Sequence, residues 1–272
     1  MTVVISRITT QKKSKSRYNI FLKDGESDKY GFSVDETVLI EYGLRKGLEL
    51  DEETMDSLIQ EDSFQKSYTM AINFLSYRMR STKEIRDYLV KKEVEHEQIV
   101  RIVEKLVIEG YLDDQQFANA FVQTRINTSS KGPLIVKKEL MEKGVSAQIA
   151  AKAVELYTYE VQFEKALKFA EKKLKTGSKH AFRKQLQQVG ANLIQKGFIQ
   201  GVIQEVLQEI ESEKNDDSEW EAVCYQGEKL MRKHERKYEG FELEQKIKEG
   251  LYRKGFTMDH INRFLDELKE EM

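Results

Sequence analysis

Four hexapeptides of one pattern recur along this chain: Leu89-Val-Lys-Lys-Glu-Val94, Leu140-Met-Glu-Lys-Gly-Val145, Leu193-Ile-Gln-Lys-Gly-Phe198 and Leu251-Tyr-Arg-Lys-Gly-Phe256. Their leading leucines stand 51, 53 and 58 residues apart. A repeat of that period builds stacked supersecondary units rather than one irregular core. Most of the protein is therefore expected to be an elongated array, a shape suited to binding something long.

Each hexapeptide reads as the end of a helix. The leucine is the last buried contact, and the lysine sits in the final turn, where a cation suits the helix dipole. Gly144, Gly197 and Gly255 are placed to take the left-handed conformation that stops a helix, and the next Val or Phe folds back on the core. The first copy has Glu93 in the glycine position, so its turn must differ or carry about 1 kcal/mol of strain.

The flanking residues complete three helices per unit. In the first unit Phe64, Tyr68, Ala71, Ile72 and Leu75 share one face. Ser81-Thr-Lys-Glu84 is a capping box opening a second helix with Ile85 and Leu89 inside. Ile99, Ile102, Val103, Leu106 and Val107 give a third, at i, i+3, i+4, i+7, i+8. The second unit copies the plan with Phe117, Phe121 and Val122, then Leu134 to Met141, then Ile149, Ala153 and Val154. Pro133, the only proline, falls in a first turn, where it is tolerated. The third unit shows Phe163, Ala166, Leu167 and Leu174, then Leu186, Val189 and Leu193, then Val202, Val206 and Ile210. The fourth shows Trp220, Val223 and Leu230, then Leu243, Ile247 and Leu251, then Ile261, Leu265 and Leu268. The short turn from second to third helix has helix-turn-helix character.

The first sixty residues differ. Thr2–Thr10, Tyr18–Leu22 and Tyr30–Val34 read as three short strands, with Lys23-Asp-Gly-Glu26 as a turn and Lys12–Arg17 as a basic loop. Asp35 caps a helix expected to reach about Leu44 and to end at Lys46-Gly47, and another helix opens at Asp51. The expected domains are a β-rich domain over residues 1–60 and three-helix repeats over 61–111, 112–158, 159–212 and 213–272, with Glu211–Ser218 the most polar join.

Composition narrows the function. Charged residues are 34% of the chain and hydrophobic ones 39%, and the net charge is −2. No segment approaches the roughly 18 apolar residues of a membrane span. One cysteine, Cys224, forms no intrachain disulfide, which points to a reducing, cytoplasmic setting. There is no phosphate-binding glycine loop, nucleophile elbow or paired-cysteine metal motif. His96, His180, His234 and His260 are scattered, and Asp113-Asp114 reads as a helix cap rather than a metal site. No catalytic residue, metal ligand or cofactor is expected. A protein held on DNA by charge alone would be more basic, so a protein partner is expected as well.

Residues 71–145 carry ordered motifs beyond the period. Arg78-x-Arg80-Ser81-x-x-Glu84-Ile85 is followed by Gly110-Tyr-Leu-Asp-Asp-Gln-Gln-Phe-Ala118, Phe121-Val-Gln-Thr-Arg125, Lys131-Gly132 and Leu140–Val145. Together these resemble the RecX family, bacterial regulators of the RecA recombinase, over roughly residues 64–270. The size resembles that of a longer, Gram-positive-type member. The resemblance implies a mainly α fold of tandem three-helix repeats in a curved array after a small β-rich domain. It also implies a non-enzymatic monomer that binds along the groove of the RecA filament on single-stranded DNA. Such proteins block filament growth or promote disassembly, damping ATP hydrolysis, strand exchange and SOS co-protease activity, and some members bind single-stranded or double-stranded DNA directly.

Candidate contact residues are Arg78 and Arg80 beside the capping box; Arg125, Lys131, Lys137 and Lys138 in the second unit; and Lys179, Arg183 and Lys184 in the third. Each also has a plain reading as the solvated face of a charged helix. Glu84, Asp113 and Asp114 read as capping and inter-repeat pairing residues. A free-standing DNA-binding repeat protein and a helical scaffold for another protein stand as the alternatives.

Overall fold

A computed structural model describes residues 2–12, 14–25, 27–174, 179–212 and 216–271. Lys13 of the basic loop, Glu26 of the expected turn and residues 213–215 of the polar join lie outside the described residues. The chain divides into two compact units, residues 1–117 with 143–145 and residues 118–142 with 146–272.

The first unit begins with strands β1 (Val3–Thr10), β2 (Arg17–Asp24) and β3 (Ser27–Asp35), helix α1 (Glu36–Glu41) and the two-residue strand β4 (Glu49–Leu50). They form an antiparallel sheet in the order β3-β2-β1-β4. Ile5 faces Leu22 across β1 and β2, and Ile20 faces Phe32 across β2 and β3. Ile5, Ile20, Phe32, Val34, Val38, Leu44, Leu50 and Leu58 form its buried core. The β-rich reading holds, with β4 added: two residues are too short to show a strand period. Helix α1 stops earlier than expected. Gly43 adopts φ 59° and Leu44 donates back to the Leu39 carbonyl at 3.0 Å, so the helix is closed before Lys46-Gly47.

Helix α2 (Glu52–Leu75) starts at an Asp51 cap and runs unbroken through residue 60. Leu58 belongs to the sheet core, while Phe64 and Ala71 belong to the first helical core. Asp62, between them, ties the helix to the sheet, accepting from the Asp35 amide at 2.7 Å and pairing with Arg17 at 2.7 Å. One helix therefore serves two cores. With α3 (Thr82–Lys91) and α4 (His96–Ile108) it buries Ile85, Leu89, Ile99, Ile102, Val103 and Leu106. Val107, counted on that face from its spacing, is instead half exposed.

Helix α5 (Asp114–Thr128) leads into the second unit, which continues with α6 (Pro133–Glu142), α7 (Ala147–Ala153) and a 3-10 turn (Val154–Leu156). There Val122, Val136, Leu140, Ala150, Ala153 and Tyr157 are buried. Then come α8 (Tyr159–Leu174), α9 (Phe182–Gln195) and α10 (Gln200–Ser212), followed by α11 (Asp216–His234), α12 (Gly240–Arg253) and α13 (Met258–Glu271). The core of α8, α9 and α10 centres on Ala166, Val189, Leu193, Val202 and Val206. That of α11, α12 and α13 centres on Val223, Ile247, Leu251, Ile261 and Leu265. The apolar positions read from spacing in the third and fourth units thus pack together as expected.

The hexapeptides close their helices as read. Gly144, Gly197 and Gly255 adopt φ of 84°, 80° and 94°, and Glu93, at φ 60°, takes the same left-handed conformation despite its side chain. The amide after the corner reaches back to the leucine carbonyl: Val94 to Leu89 at 3.1 Å and Phe198 to Leu193 at 3.2 Å. This is the double closure that satisfies a helix C-terminus.

Candidate functional site

The corners do a second job: the start of a second helix seats on the corner of the following unit. At the first such joint Ser81, fully buried, donates its hydroxyl to the Lys143 carbonyl at 2.7 Å, and Lys143 Nζ reaches Glu84 at 3.0 Å. A Cβ on Gly144 would stand 2.4 Å from Lys83 Cβ. At the second joint Gly132 donates to the Lys196 carbonyl at 2.7 Å and Leu134 to the Gly197 carbonyl at 3.1 Å. A Cβ on Gly197 would stand 2.7 Å from the Ile135 nitrogen. At the third joint a Cβ on Gly255 would meet Ala181 Cβ at 3.7 Å, an ordinary contact.

The following unit also caps the incoming helix. Asp114 accepts from the Thr82 amide at 2.8 Å, at the start of α3, and Glu219 accepts from the Phe182 amide at 2.8 Å, at the start of α9. A carboxylate there meets the exposed amides and the positive end of the helix. Asp113 accepts from Gln115 and Gln116 and caps its own helix. The capping and pairing roles expected for Glu84, Asp113 and Asp114 are thus in place, since Glu84 also completes the capping box with Ser81.

The basic candidates fall into two groups. Arg78 forms a two-pronged pair with Glu84 at 3.0 and 3.1 Å. Burial works to raise the Glu84 pKa, but the hydrogen bonds from Arg78 and Lys143 outweigh it and hold the carboxyl at about 2. Arg80 lies over the Phe74 ring at 3.7 Å, and Phe74 stacks on Tyr88 at 4.0 Å. Its Nε is buried without a hydrogen-bond acceptor, and desolvation lowers its pKa. Arg125 pairs with Glu139 at 2.8 Å, and Lys131 pairs with the same carboxylate. Burial opposes ionisation of Glu139, and the two cations prevail, holding its pKa below the usual carboxylate range. These four candidates are drawn into local contacts. Lys138, Lys179, Arg183 and Lys184 are exposed and Lys137 half-buried. Lys138 faces Glu142 at a loose 4.0 Å, and Lys179 sits over the Tyr225 ring at 4.7 Å. Arg183 and Lys184 lie in the first turn of α9.

Among the described residues no group of three or more His, Cys, Asp or Glu side chains could hold a metal ion. No described helix is long and apolar enough to cross a membrane. The Cys224 thiol is half-buried, and burial pushes its pKa up, away from the reactive thiolate.

Comparison with known proteins decides the family. The RecX N-terminal domain matches residues 3–51, the first RecX three-helix domain 68–106, the second 113–154, and the third matches twice, at 160–207 and 217–265. A regulatory protein RecX of Oceanobacillus iheyensis is 52% identical over 264 residues, spanning 97% of both chains. The chain belongs to the RecX family. A regulatory protein RecX of Bacillus cereus is 42% identical over 268 residues, covering 98% of this chain and 99% of its own. A crystal structure of regulatory protein RecX superposes with a TM-score of 0.68 at 37% identity, over 75% of this chain and 98% of that one. RecX from Lactobacillus salivarius gives 0.54 at 34% identity, over 56% of this chain and 98% of its own.

The doubled RecX third domain makes the third and fourth units copies of one type. Counted from the two starts, 160 and 217, Gln162 stands where Glu219 stands. Glu219 serves an amide at the start of α9, whereas α6 begins with Pro133, which has no N–H to serve. An uncharged side chain at residue 162 fits that difference, and the Gln162 Oε1 finds no donor among the described residues.

Sequence reasoning missed a second basic locality in the same RecX chain. Lys165, Lys168 and Lys172 lie at i, i+3 and i+7 on α8, a stripe visible in the sequence. Lys196, inside the third hexapeptide, joins them only in three dimensions. Together with Phe169 they border a cleft of about 540 Å³ and its neighbour of about 440 Å³.

Proposed function

We propose that this chain is a mainly negative regulator of the RecA recombinase. It lies in the groove of the RecA filament on single-stranded DNA and blocks filament extension or promotes disassembly. ATP hydrolysis, strand exchange and the SOS co-protease activity then fall. The observation that supports this reading is the unbroken order of RecX domains along the chain, with relatives named regulatory proteins matching nearly its whole length. The chain acts as a cytoplasmic monomer, by binding rather than by catalysis, and needs no cofactor.

Its geometry suits such a role. Each three-helix unit has its own core, and the second is fastened to the third by backbone hydrogen bonds from Gly132 and Leu134 to the Lys196-Gly197 corner, which holds the surface charges of those two at fixed spacing. Lys137, Lys138, Lys179, Arg183 and Lys184 are the basic residues we assign to filament contact. Arg78 and Arg80, with Arg125 and Lys131, orient the helices that present them and reach the partner at their free edges.

The test is RecA ATPase rate and filament length on single-stranded DNA with and without the protein. Both should fall at stoichiometric amounts, and unchanged values would end the reading. Charge reversal of Lys137 and Lys138 should weaken the effect without lowering the melting temperature.

A further inference from the structure

We propose that the cleft around Phe169, between the α5 end and α8, holds the phosphodiester backbone of a nucleic-acid strand. The inference rests on the filament reading for its biological partner and deepens it by naming the surface that meets DNA.

The cleft of about 540 Å³ is bordered by Asn127, Thr128, Ser129 and Ser130 on one side and by lysines of α8 on the other. No Asp or Glu is among its bordering residues. Most of the paired basic residues elsewhere have a carboxylate beside them, as Arg78, Arg125, Lys131 and Lys143 do. Lys165, Lys168, Lys172 and Lys196 form no ion pair among the described residues, although Glu164 and Glu171 lie on the same helix. Lys165 is spent inside the protein, capping α5 through the carbonyls of Ile126 and Ser129, the latter at 2.7 Å. Lys196 is held only by neutral groups, the Ser130 hydroxyl at 2.6 Å and the Phe169 ring at 4.6 Å.

Two like charges at i, i+4, as in Lys168 and Lys172, work against the helix that carries them. The Lys165 pKa is lowered by burial first and by Lys168 second, which shows the same crowding of positive charge. A cluster in which Lys168, Lys172 and Lys196 have no ion-pair partner among the described residues is relieved by an external polyanion. Phosphate fits better than an acidic peptide, because the α8 ammonium groups face the Asn127 amide and the Ser130 hydroxyl, which accepts from Lys196 and keeps its own proton to donate, while Thr128 and Ser129 spend theirs on the Thr124 and Arg125 carbonyls. Charged and neutral donors together contact phosphate oxygens without reading sequence. From Lys168 to Lys172 the free ammonium groups rise about 6 Å along the helix axis at 1.5 Å per residue, room for about two phosphates at 3.4 Å each.

The experiment is fluorescence anisotropy of the full chain on a labelled thymidine oligonucleotide across a salt series, with no recombinase present. Wild type should bind with a log–log salt slope of about −2, as three ammonium contacts to single-stranded DNA would give. Lys168→Gln with Lys172→Gln, both exposed, should weaken binding about tenfold at a melting temperature no lower than that of wild type, and adding Lys196→Gln should weaken it further. Oligonucleotide should also shield Lys168 and Lys172, but not Lys138, from acetylation, a readout independent of any variant. Equal affinity of wild type and double variant, no shielding, or no binding by wild type would each overturn the proposal. Polyglutamate displacing the oligonucleotide at equal charge concentration would also overturn it, assigning the cleft to an acidic protein segment. If the cleft fails while RecA ATPase still falls, the filament reading stands; if the cleft binds and ATPase is unmoved, only the filament reading fails.

Discussion

The corner at Lys92-Glu93 and the corner at Lys196-Gly197 close their helices with the same hydrogen bonds, yet only the second has a helix start seated on it. Both residues are left-handed, at φ 60° and 80°. That conformation costs a non-glycine residue about 1–2 kcal/mol. At Gly197 a side chain would also collide with the Ile135 backbone, whereas no helix start donates to the Lys92 or Glu93 carbonyl among the described residues. The first three-helix unit has no three-helix unit before it, so its corner bears only the conformational cost. Glycine in this pattern therefore marks a seated neighbour as well as a turn.

The largest effect should come where both costs fall together. Gly197→Ala combines the left-handed penalty with overpacking at the joint, a loss of about 2–5 kcal/mol in urea unfolding. Gly132→Ala separates them: its Cβ would stand 2.5 Å from the Gly197 carbonyl carbon, but no positive φ is involved. Its loss should be about 1–3 kcal/mol. A Gly197→Ala protein as stable as wild type would break the comparison outright.

Gly255→Ala should show the conformational cost alone, about 1–2 kcal/mol, since its Cβ would make only a 3.7 Å contact with Ala181. Glu93→Gly should run the other way and raise the unfolding free energy in urea, by about 1 kcal/mol net of the flexibility glycine adds to the unfolded chain. A loss there would mean that the Glu93 side chain makes a stabilising contact that outweighs its backbone strain.

The corners were legible because their signal is local. Leucine, lysine, glycine and a following apolar residue lie within six positions, and glycine announces the left-handed turn. The capping box at Ser81 and Glu84 was legible for the same reason. The joints were not: nothing in Gly132 by itself says that it lies against Gly197, sixty-five positions on. The continuity of α2 was hidden because the change from strands to helical repeats set the domain boundary at residue 60, although Asp62, just past it, is the polar tie between two cores. Arg78 was weighed for contact by its motif, while its pairing with Glu84 spans six residues across a helix start. The Phe169 cleft needs residues from three separate segments, so only its lysine stripe on α8 could be read in advance.

A pH-dependent effect is expected at the first joint, where glycine and charge act together. Glu84 is ionised in the folded protein down to about pH 2, well below its ordinary value of 4.5, because Arg78 and Lys143 outweigh the cost of its burial. A depressed carboxyl pKa gives stability that is fully present above 4.5 and is lost as pH falls from there to about 2. Glu84→Gln keeps a side chain able to complete the capping box but removes the charge that Lys143 meets. At pH 6 the variant should melt below wild type, and the gap should close as both are titrated to pH 2. A Glu84→Gln gap that persisted at pH 2 would show that the joint is held by shape and the Ser81 hydroxyl rather than by the Glu84–Lys143 pair.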